Sequence, residues 1–495
     1  MAEQAGSGTL WCKDTLKREL LWVAAIAGIY MLIHGYLMLR LGLHQDEVYD
    51  FCGEEAGLYA AAGRWGVLLW RYVFGEGASL YAAGITAGVA TAITVVWQTK
   101  ILKLDDVYAK LLYCAFYVGC TQYAHMIRYA FLSDAIAVSM LAATAGIYYL
   151  SRGGKMNSLY SILLLAFALG TYQATCFYIG VFWFAYQLRM QQVGTGVSTW
   201  QELKKLCVVG GAALVLWWAL KQATTQLPIV TEEHLKYAQS YQKSLTNWAA
   251  FTQGSWGDKL ALLEHAFRYL FWSQLGRTYT GQWVYATALI PVALLAWHTW
   301  KQQGMAAKLL QYGMLAMVWV LPHCLIFMLL KQQPPHTLLA EPLAVATLWG
   351  MSAAYLPQLF KKGMLVIIPF MLLKAGYRSA DMAKSEAHEH ELCMAELREI
   401  RSQGIAMASE KHLPQEYRIL IFGEPKQDAE NQAQLPCLYL MKFYLRTYRM
   451  APMSVGSKEE RARHAPTLQQ MPVWPAPGSV QHDGQDVIIK LGEEF

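Results

Sequence analysis

Long apolar runs separated by short polar stretches dominate the first three quarters of the chain. A helix that crosses a bilayer needs about 20 mostly apolar residues, although tightly packed spans can be shorter. One run is too long for a single span and has Gly170-Thr171 at its centre, so we expect two short helices joined by a tight turn. The pattern predicts a polytopic helical bundle of about eleven spans. The apolar runs are Leu20–Leu39, Ala78–Trp97, Leu111–Met126, Ser133–Leu150, Leu159–Leu188, Leu206–Leu220, Trp283–Trp300, Leu309–Leu330, Leu343–Phe360 and Met364–Leu373.

The pattern changes after Arg378. The acid- and His-rich stretch Lys384–Arg401 has apolar residues at helical spacing. Strand-like runs follow at Tyr417–Phe422, Leu438–Leu445 and Val487–Leu491. We therefore predict a membrane-embedded domain over residues 1–378 and a small α/β domain over residues 379–495.

Composition narrows the class of protein. Of the 495 residues, 55% are hydrophobic and 15% are charged, against about 25% charged in a soluble globular protein. This deficit excludes a soluble enzyme, a disordered chain and a nucleic-acid binder, and it makes membrane lipid a partner. The 18 Trp and 29 Tyr residues suit membrane–water boundaries. Cysteine and histidine spacings typical of a zinc site are absent, and Cys393 and Cys437 are candidates for a disulfide if their region is extracytoplasmic.

Basic residues indicate the orientation of the spans. One alternating set of connections holds most of them, and short cytoplasmic loops are typically enriched in Lys and Arg. These residues are Lys13, Lys17, Arg18, Lys100, Lys103, Lys110, Arg152, Lys155, Arg189, Lys204, Lys205, Lys301, Lys308, Lys361 and Lys362. We therefore expect a cytoplasmic N-terminus with a retained first span. The first loop 44–77, the long loop 222–282 and the C-terminal domain are then expected outside.

The first outer loop has the strongest candidate chemistry. It opens with His44-Gln45-Asp46-Glu47, and the stretch Glu54–Tyr72 is amphipathic, as in a helix that lies in the membrane interface. Arg64 and Arg71 lie on one side of this stretch. Carboxylates beside cations at head-group level suit a site that removes a proton and stabilises a phosphate. A solvated polar loop is the alternative interpretation.

Further candidates lie at other outer connections. Arg128 and Asp134 flank the start of the predicted fourth span, where a local ion pair is the alternative to ligand binding. Tyr172 and Gln173 follow the Gly170-Thr171 turn, where polar side chains are often interface anchors. Arg277 lies in the long outer loop, where it either binds a sugar or is simply solvated.

In order along the chain, these residues resemble the O-antigen glucosyltransferases of bacteria and phages, which modify polysaccharides and belong to the GT-C superfamily of membrane glycosyltransferases. The resemblance rests on His44-Gln45-Asp46-Glu47, Gly63-Arg64, Leu132-Ser133-Asp134 and Leu169-Gly170-Thr171-Tyr172-Gln173-Ala174. It implies transfer of glucose or another hexose from a polyprenyl-phosphate donor to a glycan acceptor, with inversion at the anomeric carbon. The reaction would take place on the outer side of the bacterial cytoplasmic membrane.

The resemblance also implies roles for the candidates. Asp46 would act as general base, and Glu47 would orient Asp46 or the sugar. Arg64 and Arg128 would hold the donor phosphate. Some relatives hold a divalent metal at the acid motif, which makes Asp46 and Glu47 candidate ligands for Mg²⁺ or Mn²⁺. The expected substrate-binding residues are Arg71, Asp134, Tyr172, Gln173 and Arg277.

Two other classes of protein remain open from the residues alone. A lipid-linked glycan polymerase would rely on arginines in large outer loops, here Arg268 and Arg277. A glycolipid transporter or flippase would use broken helices at mid-membrane, for which Pro291 and Pro322 are the candidates.

Overall fold

The computed structural model describes residues 13–39, 55–74, 80–120, 122–128, 130–194, 198–244, 252–268, 282–301, 304–324, 338–412, 417–423 and 452–492. The chain has two compact units. One is made of Met1–Leu39 and Glu54–Met382, and the other contains Ala383–Phe495.

The first unit is built from helices. In chain order they are α1 (Lys13–Leu39), α2 (Glu55–Ala61), α3 (Trp65–Phe74), α4 (Leu80–Ile101), α5 (Val107–Val118), α6 (Gln122–Arg128), α7 (Ala130–Arg152), α8 (Lys155–Thr171), α9 (Thr175–Gln192), α10 (Thr199–Thr224), α11 (Glu232–Ser244), α12 (Trp256–Arg268), α13 (Gln282–Trp300), α14 (Met305–Val320), α15 (Ala340–Ser352) and the start of α16 (Gln358–Glu410). Single 3₁₀ turns at Leu321–His323 and Ala353–Tyr355 follow α14 and α15.

Several of these helices are suited to a bilayer. Among the described residues, five helices are long and apolar enough to cross a membrane. They contain the segments Leu16–Met38, Ala82–Ile101, Leu132–Arg152, Thr199–Thr224 and Met305–His323. Shorter apolar helices cover Val107–Val118, Lys155–Thr171 and Ala288–Trp300. The chain is therefore a mainly α-helical membrane protein, and the number of about eleven spans stays a prediction.

Helix boundaries differ from the apolar runs in several places. The run Leu111–Met126 is divided between α5 and α6, with Gly119 as the C-cap of α5. The run Leu343–Phe360 is divided between α15 and α16 by the 3₁₀ turn Ala353–Tyr355. The run Met364–Leu373 is only part of α16, which continues to Glu410 through the predicted domain boundary after residue 378. The predicted division of Leu159–Leu188 into two short helices is confirmed, since α8 ends at Thr171 and α9 begins at Thr175.

A buried polar network joins four helices in the core of the first unit. Gln98 on α4 donates from Nε2 to Thr144 Oγ1 on α7 at 3.0 Å and also to the Tyr178 hydroxyl on α9. Tyr113 on α5 donates to Gln98 Oε1 at 2.6 Å, and the hydroxyls of Tyr117 and Tyr178 are 2.9 Å apart. Hydrogen bonds of this kind satisfy polar groups that a bilayer cannot solvate, so they select one packing arrangement.

The second unit contains a four-stranded sheet of order β2-β1-β4-β3. Its strands are β1 (Arg418–Phe422), β2 (Met453–Val455), β3 (Val480–Asp483) and β4 (Asp486–Lys490), and helix α17 (Lys458–Gln470) follows β2. β1 pairs in parallel with β2 and β4, whereas β3 is antiparallel to β4. The predicted strands near Tyr417–Phe422 and Val487–Leu491 are present, while Leu438–Leu445 lies outside the described residues.

Both faces of this sheet are covered, because alternate strand residues point to opposite sides. Ile419 and Ile421 pack with Leu397 and Ile400 from the last part of α16. On the other face, Leu420, Phe422 and Ile488 pack with Leu468 and Met471 from α17 and the residue after it. The apolar run of β1 therefore has the pattern expected of a strand buried on both faces.

Candidate active site

The amphipathic stretch of the first loop, which is predicted to lie outside, forms two helices rather than one. Helix α2 ends at Ala61 and α3 starts at Trp65, with Gly63 between them at a φ of 76°. This left-handed backbone conformation favours glycine and ends α2, so the prediction of one continuous helix is wrong. In α3, Val67 and Arg71 are buried. Its exposed residues are mostly apolar and include Leu69, Tyr72, Val73 and Phe74.

The α8–α9 turn packs closely against this loop. A Cβ on Gly66 would overlap Thr171, and one on Gly170 would overlap the indole of Trp65. Gln173 donates from Nε2 to the carbonyl oxygen of Ala62 at 3.0 Å. Two glycines and one long-range hydrogen bond therefore bring together the first loop and the predicted Tyr172-Gln173 pair, which are about a hundred residues apart in sequence.

Arg64 lies at the centre of this arrangement, which we call the Arg64 turn (Ala62–Arg64). Its guanidinium carbon is 5.4 Å from the centroid of the Tyr172 ring, a cation–π distance. The side chain is half-buried, and its Nε has no hydrogen-bond partner among the described residues. Within that same part of the chain, no carboxylate pairs with Arg64. The Nε–H of Arg64 is therefore a hydrogen-bond donor without an acceptor in the described part of the chain.

Arg71 has a different environment, which we call the Arg71 anchor (Trp70, Arg71 and Asp134). Its two Nη atoms lie 3.3 and 3.4 Å from the two carboxylate oxygens of Asp134, the fifth residue of α7. The indole of Trp70 donates to the same carboxylate at 2.8 Å, as does the backbone N–H of Ala135. The side chains of Arg71 and Asp134 are 10% and 5% exposed. This buried pair attaches α3 to α7.

The start of the long loop 222–282 also packs against the first loop. Helix α11 has reciprocal hydrogen bonds at its N-terminus, from the His234 N–H to Thr231 Oγ1 and from the Thr231 N–H to His234 Nδ1. The His234 ring lies against Gly57 of α2, where a Cβ would overlap it. The absence of a side chain at Gly57 therefore allows α11 to approach α2 closely.

Of the remaining candidate residues, the structure describes only Arg128. Asp46, Glu47 and Arg277 lie outside the described residues. Arg128 is the last residue of α6, directly before the helix that carries Asp134. Among the described residues, no group of three or more His, Cys, Asp or Glu side chains is arranged to hold a metal ion.

Sequence reasoning missed two tryptophans that position the loop. Trp70 binds Asp134, and Trp217 on α10 donates from its indole N–H to the carbonyl oxygen of Gly63 at 3.3 Å. Both are polar-tipped aromatic residues, which are usually interpreted as interface anchors. Trp217 lies four residues before Lys221 at the end of an apolar run. This spacing places both residues on one face of a helix and could have indicated that they contact the same segment.

A separate charged cluster lies in the second unit. Arg418 donates to both carboxylate oxygens of Asp486, at 3.0 and 2.9 Å, and it also pairs with Glu460. The pKa of Asp483 is held below its ordinary value because His464 and Thr467 hydrogen-bond to its carboxylate. Four of these residues border a cavity of about 360 Å³, namely Arg418, His464, Asp483 and Asp486. Their charges are largely paired with one another, so we interpret the cluster as a structural network of the α/β unit.

The apolar helices define a membrane protein, and in the described part of the chain they surround a loop whose Arg64 has no carboxylate partner. The chain belongs to the glucosyl transferase GtrII family, whose model matches residues 46–356, more than half of the sequence. No curated protein matches the chain. The family match includes the Arg64 turn, the Arg71 anchor and the α8–α9 turn. It confirms the predicted resemblance and establishes a glucosyltransferase, with a sugar donor and a glycan acceptor as its partners.

Proposed function

We propose that this membrane glucosyltransferase takes glucose from a polyprenyl-phosphate donor. The proposed acceptor is a surface glycan of the O-antigen type on the outer side of the bacterial cytoplasmic membrane. The observation that carries the proposal is the environment of Arg64, a half-buried cation without a carboxylate partner in the described part of the chain. A phosphate oxygen would supply the anionic acceptors that this guanidinium lacks, and the planar guanidinium suits phosphate geometry.

The neighbouring helix supports a lipid-linked donor rather than a soluble one. Arg64 directly precedes α3, a helix of ten residues and about 15 Å. Tyr72, Val73 and Phe74 at the other end of α3 are 88%, 62% and 60% exposed. An exposed apolar helix end is expected to contact lipid. A polyprenyl chain in the bilayer beside α3 would present its phosphate near the level of this loop.

The acid pair would provide the proton transfer. In the proposed step, the acceptor hydroxyl oxygen attacks the anomeric carbon and the bond from that carbon to the phosphate oxygen breaks. The hydroxyl proton passes to the Asp46 carboxylate, and the bonding pair leaves with polyprenyl phosphate. Glu47 would orient Asp46 or the sugar. A single displacement of this kind inverts the anomeric centre.

The other candidates divide by their contacts. We propose that Arg71 and Asp134 act on the substrate indirectly, by attaching α3 to α7. Tyr172 and Gln173 would fix the position of the Arg64 turn from the α8–α9 side. Arg128 remains a second proposed phosphate ligand, and Arg277 a proposed acceptor contact. Mg²⁺ or Mn²⁺ held by Asp46 and Glu47 would polarise the phosphate oxygens instead.

A direct test is a transfer assay with purified protein in lipid vesicles. Polyprenyl-phosphate glucose and UDP-glucose are compared as donors, and the linkage of the product is read by NMR. We expect glucose to be transferred only from the lipid-linked donor, with inverted configuration. Asp46→Asn should lower the rate by about 100-fold or more, because general-base catalysis typically contributes that much.

The matched control is Asp50→Asn, which removes a carboxylate four residues further along the same loop. It should leave the rate within about twofold of wild type, since Asp50 has no role in the proposed step. Transfer from UDP-glucose with none from the lipid donor would refute the donor assignment. Wild-type turnover by Asp46→Asn would remove Asp46 as the base. A rate abolished by EDTA and restored by Mg²⁺ or Mn²⁺ would instead favour the metal role.

A further inference from the structure

A second cation, Lys221, adjoins the Arg64 turn. It comes from a part of the chain with no recognised sequence motif. Lys221 lies in the last turn of α10. Its aliphatic stem packs against Gly63, so that a Cβ on Gly63 would be 2.7 Å from Cδ and 2.9 Å from Cγ of Lys221. Gly63 is therefore adjacent to Arg64 in the sequence and in contact with Lys221 in the structure.

Trp217 fixes this arrangement. Its indole N–H donates to the Gly63 carbonyl oxygen at 3.3 Å, and the Lys221 Nζ lies 5.8 Å from the centroid of its ring. Lys221 is half-buried, and among the described residues no carboxylate pairs with it. Both Lys221 and Arg64 therefore meet an aromatic ring and lack an anionic partner in that part of the structure.

The opposite end of α10 provides an internal comparison. Trp200 and Lys204 have the same four-residue spacing, and the Lys204 Nζ lies 5.4 Å from the Trp200 ring. Such pairs are common anchors at the boundaries of a span. Trp200 and Lys204 have no contact with the Arg64 turn in the described structure, so the contact with Gly63 distinguishes Lys221.

We propose that Lys221 and Arg64 form a two-cation site for the phosphate of the lipid-linked donor. The inference rests on the proposed function and adds a residue to it. When the bond from the anomeric carbon breaks, the donor phosphate changes from a diester to a monoester and gains negative charge. A second cation beside this phosphate is worth more in the transition state than in the ground state, so it raises the rate of transfer.

The test measures kcat and KM for polyprenyl-phosphate glucose with wild type, Lys221→Met, Lys221→Arg and Lys204→Met. Methionine keeps most of the stem that packs on Gly63 and removes only the charge. We expect Lys221→Met to lower kcat/KM about 10- to 100-fold, with a fall in kcat, at unchanged thermal stability. The kcat/KM of Lys221→Arg should be within about threefold of the wild-type value. The kcat/KM of Lys204→Met should be within about twofold of it.

Head groups of ordinary anionic lipids share the phosphate chemistry, so the assays are run in phosphatidylcholine and in phosphatidylglycerol vesicles. A loss of kcat/KM in both supports a donor-phosphate site. A loss confined to phosphatidylglycerol vesicles, or a Lys221→Met variant that matches Lys204→Met, would overturn the inference.

Binding of polyprenyl phosphate alone separates this inference from the proposed reaction. Absence of transfer from the lipid donor by wild type would refute the proposed function. Weaker binding of polyprenyl phosphate by Lys221→Met, with recovery in Lys221→Arg, would still support the anion site in that case. Equal binding by wild type and Lys221→Met would refute the site.

Discussion

Arg64 and Arg71 lie on one short loop, yet the two arginines have opposite environments. Arg71 is buried against Asp134, with a tryptophan N–H on the same carboxylate. Arg64 is half-buried against an aromatic ring, and its turn is held through backbone carbonyls that accept from Gln173 and Trp217. The charge of Arg71 is thus compensated by a carboxylate, whereas among the described residues Arg64 is supported by an aromatic ring and by the hydrogen bonds to its turn.

This difference separates positioning from binding. A buried cation paired with a carboxylate has little capacity left for a ligand, and its removal exposes the partner charge to a poorly solvating interior. A cation whose turn is held by hydrogen bonds to backbone carbonyls keeps its charge available for a ligand. We therefore expect substitutions of the two arginines to have different effects, one on folding and the other on catalysis.

The largest expected effect is that of Arg71→Met on stability. It would leave the Asp134 carboxylate buried without its counter-charge, which typically costs about 3–5 kcal/mol. Thermal unfolding in detergent measures the loss. The double variant Arg71→Met/Asp134→Asn should be more stable than Arg71→Met alone, because it removes the uncompensated charge and keeps an acceptor for Trp70. A double variant no more stable than the single one would contradict the Arg71 anchor.

The second prediction is that Arg64→Met acts on catalysis. It should lower kcat/KM for the lipid-linked donor about 100-fold, as loss of a charge-stabilising donor does in other active sites. The free energy of unfolding should change by no more than about 1 kcal/mol, the usual size of a cation–π contact. If Arg64→Met destabilised the protein as much as Arg71→Met does, and its folded fraction turned over normally, Arg64 would have a structural role and not a catalytic one.

The smallest effect is expected for Gln173→Ala. It removes one side-chain hydrogen bond to the Ala62 carbonyl, worth about 1 kcal/mol in net stability. Because the turn positions Arg64, kcat/KM should fall by about threefold to tenfold while the fold persists. Gln403→Ala is a suitable control, since Gln403 is exposed and, among the described residues, bonds only Glu399 on the same helix. Equal activities of the two variants would show that the turn does not depend on Gln173.

Much of the architecture could be predicted from local pattern. The helical hairpin at Gly170-Thr171 and the strands near Tyr417–Phe422 and Val487–Leu491 agree with the apolar spacing. The break between α2 and α3 could not be predicted in this way, because Gly63 interrupts a stretch whose amphipathic spacing continues on both sides. Hydrophobic spacing shows which faces are buried, but it is insensitive to a single residue with a positive φ.

The sequence by itself determined that this is a helical membrane protein of the glucosyltransferase type, because charge deficit, apolar run length and the order of short motifs are local properties of the chain. Only the tertiary structure decided that Arg71 pairs with Asp134 and that Arg64 has no carboxylate partner in the described part of the chain. Arg64 and Arg71 look alike in sequence, and their difference depends on Asp134, Tyr172 and Trp217. These partners come from three other helices or turns, and packing alone brings them to the loop.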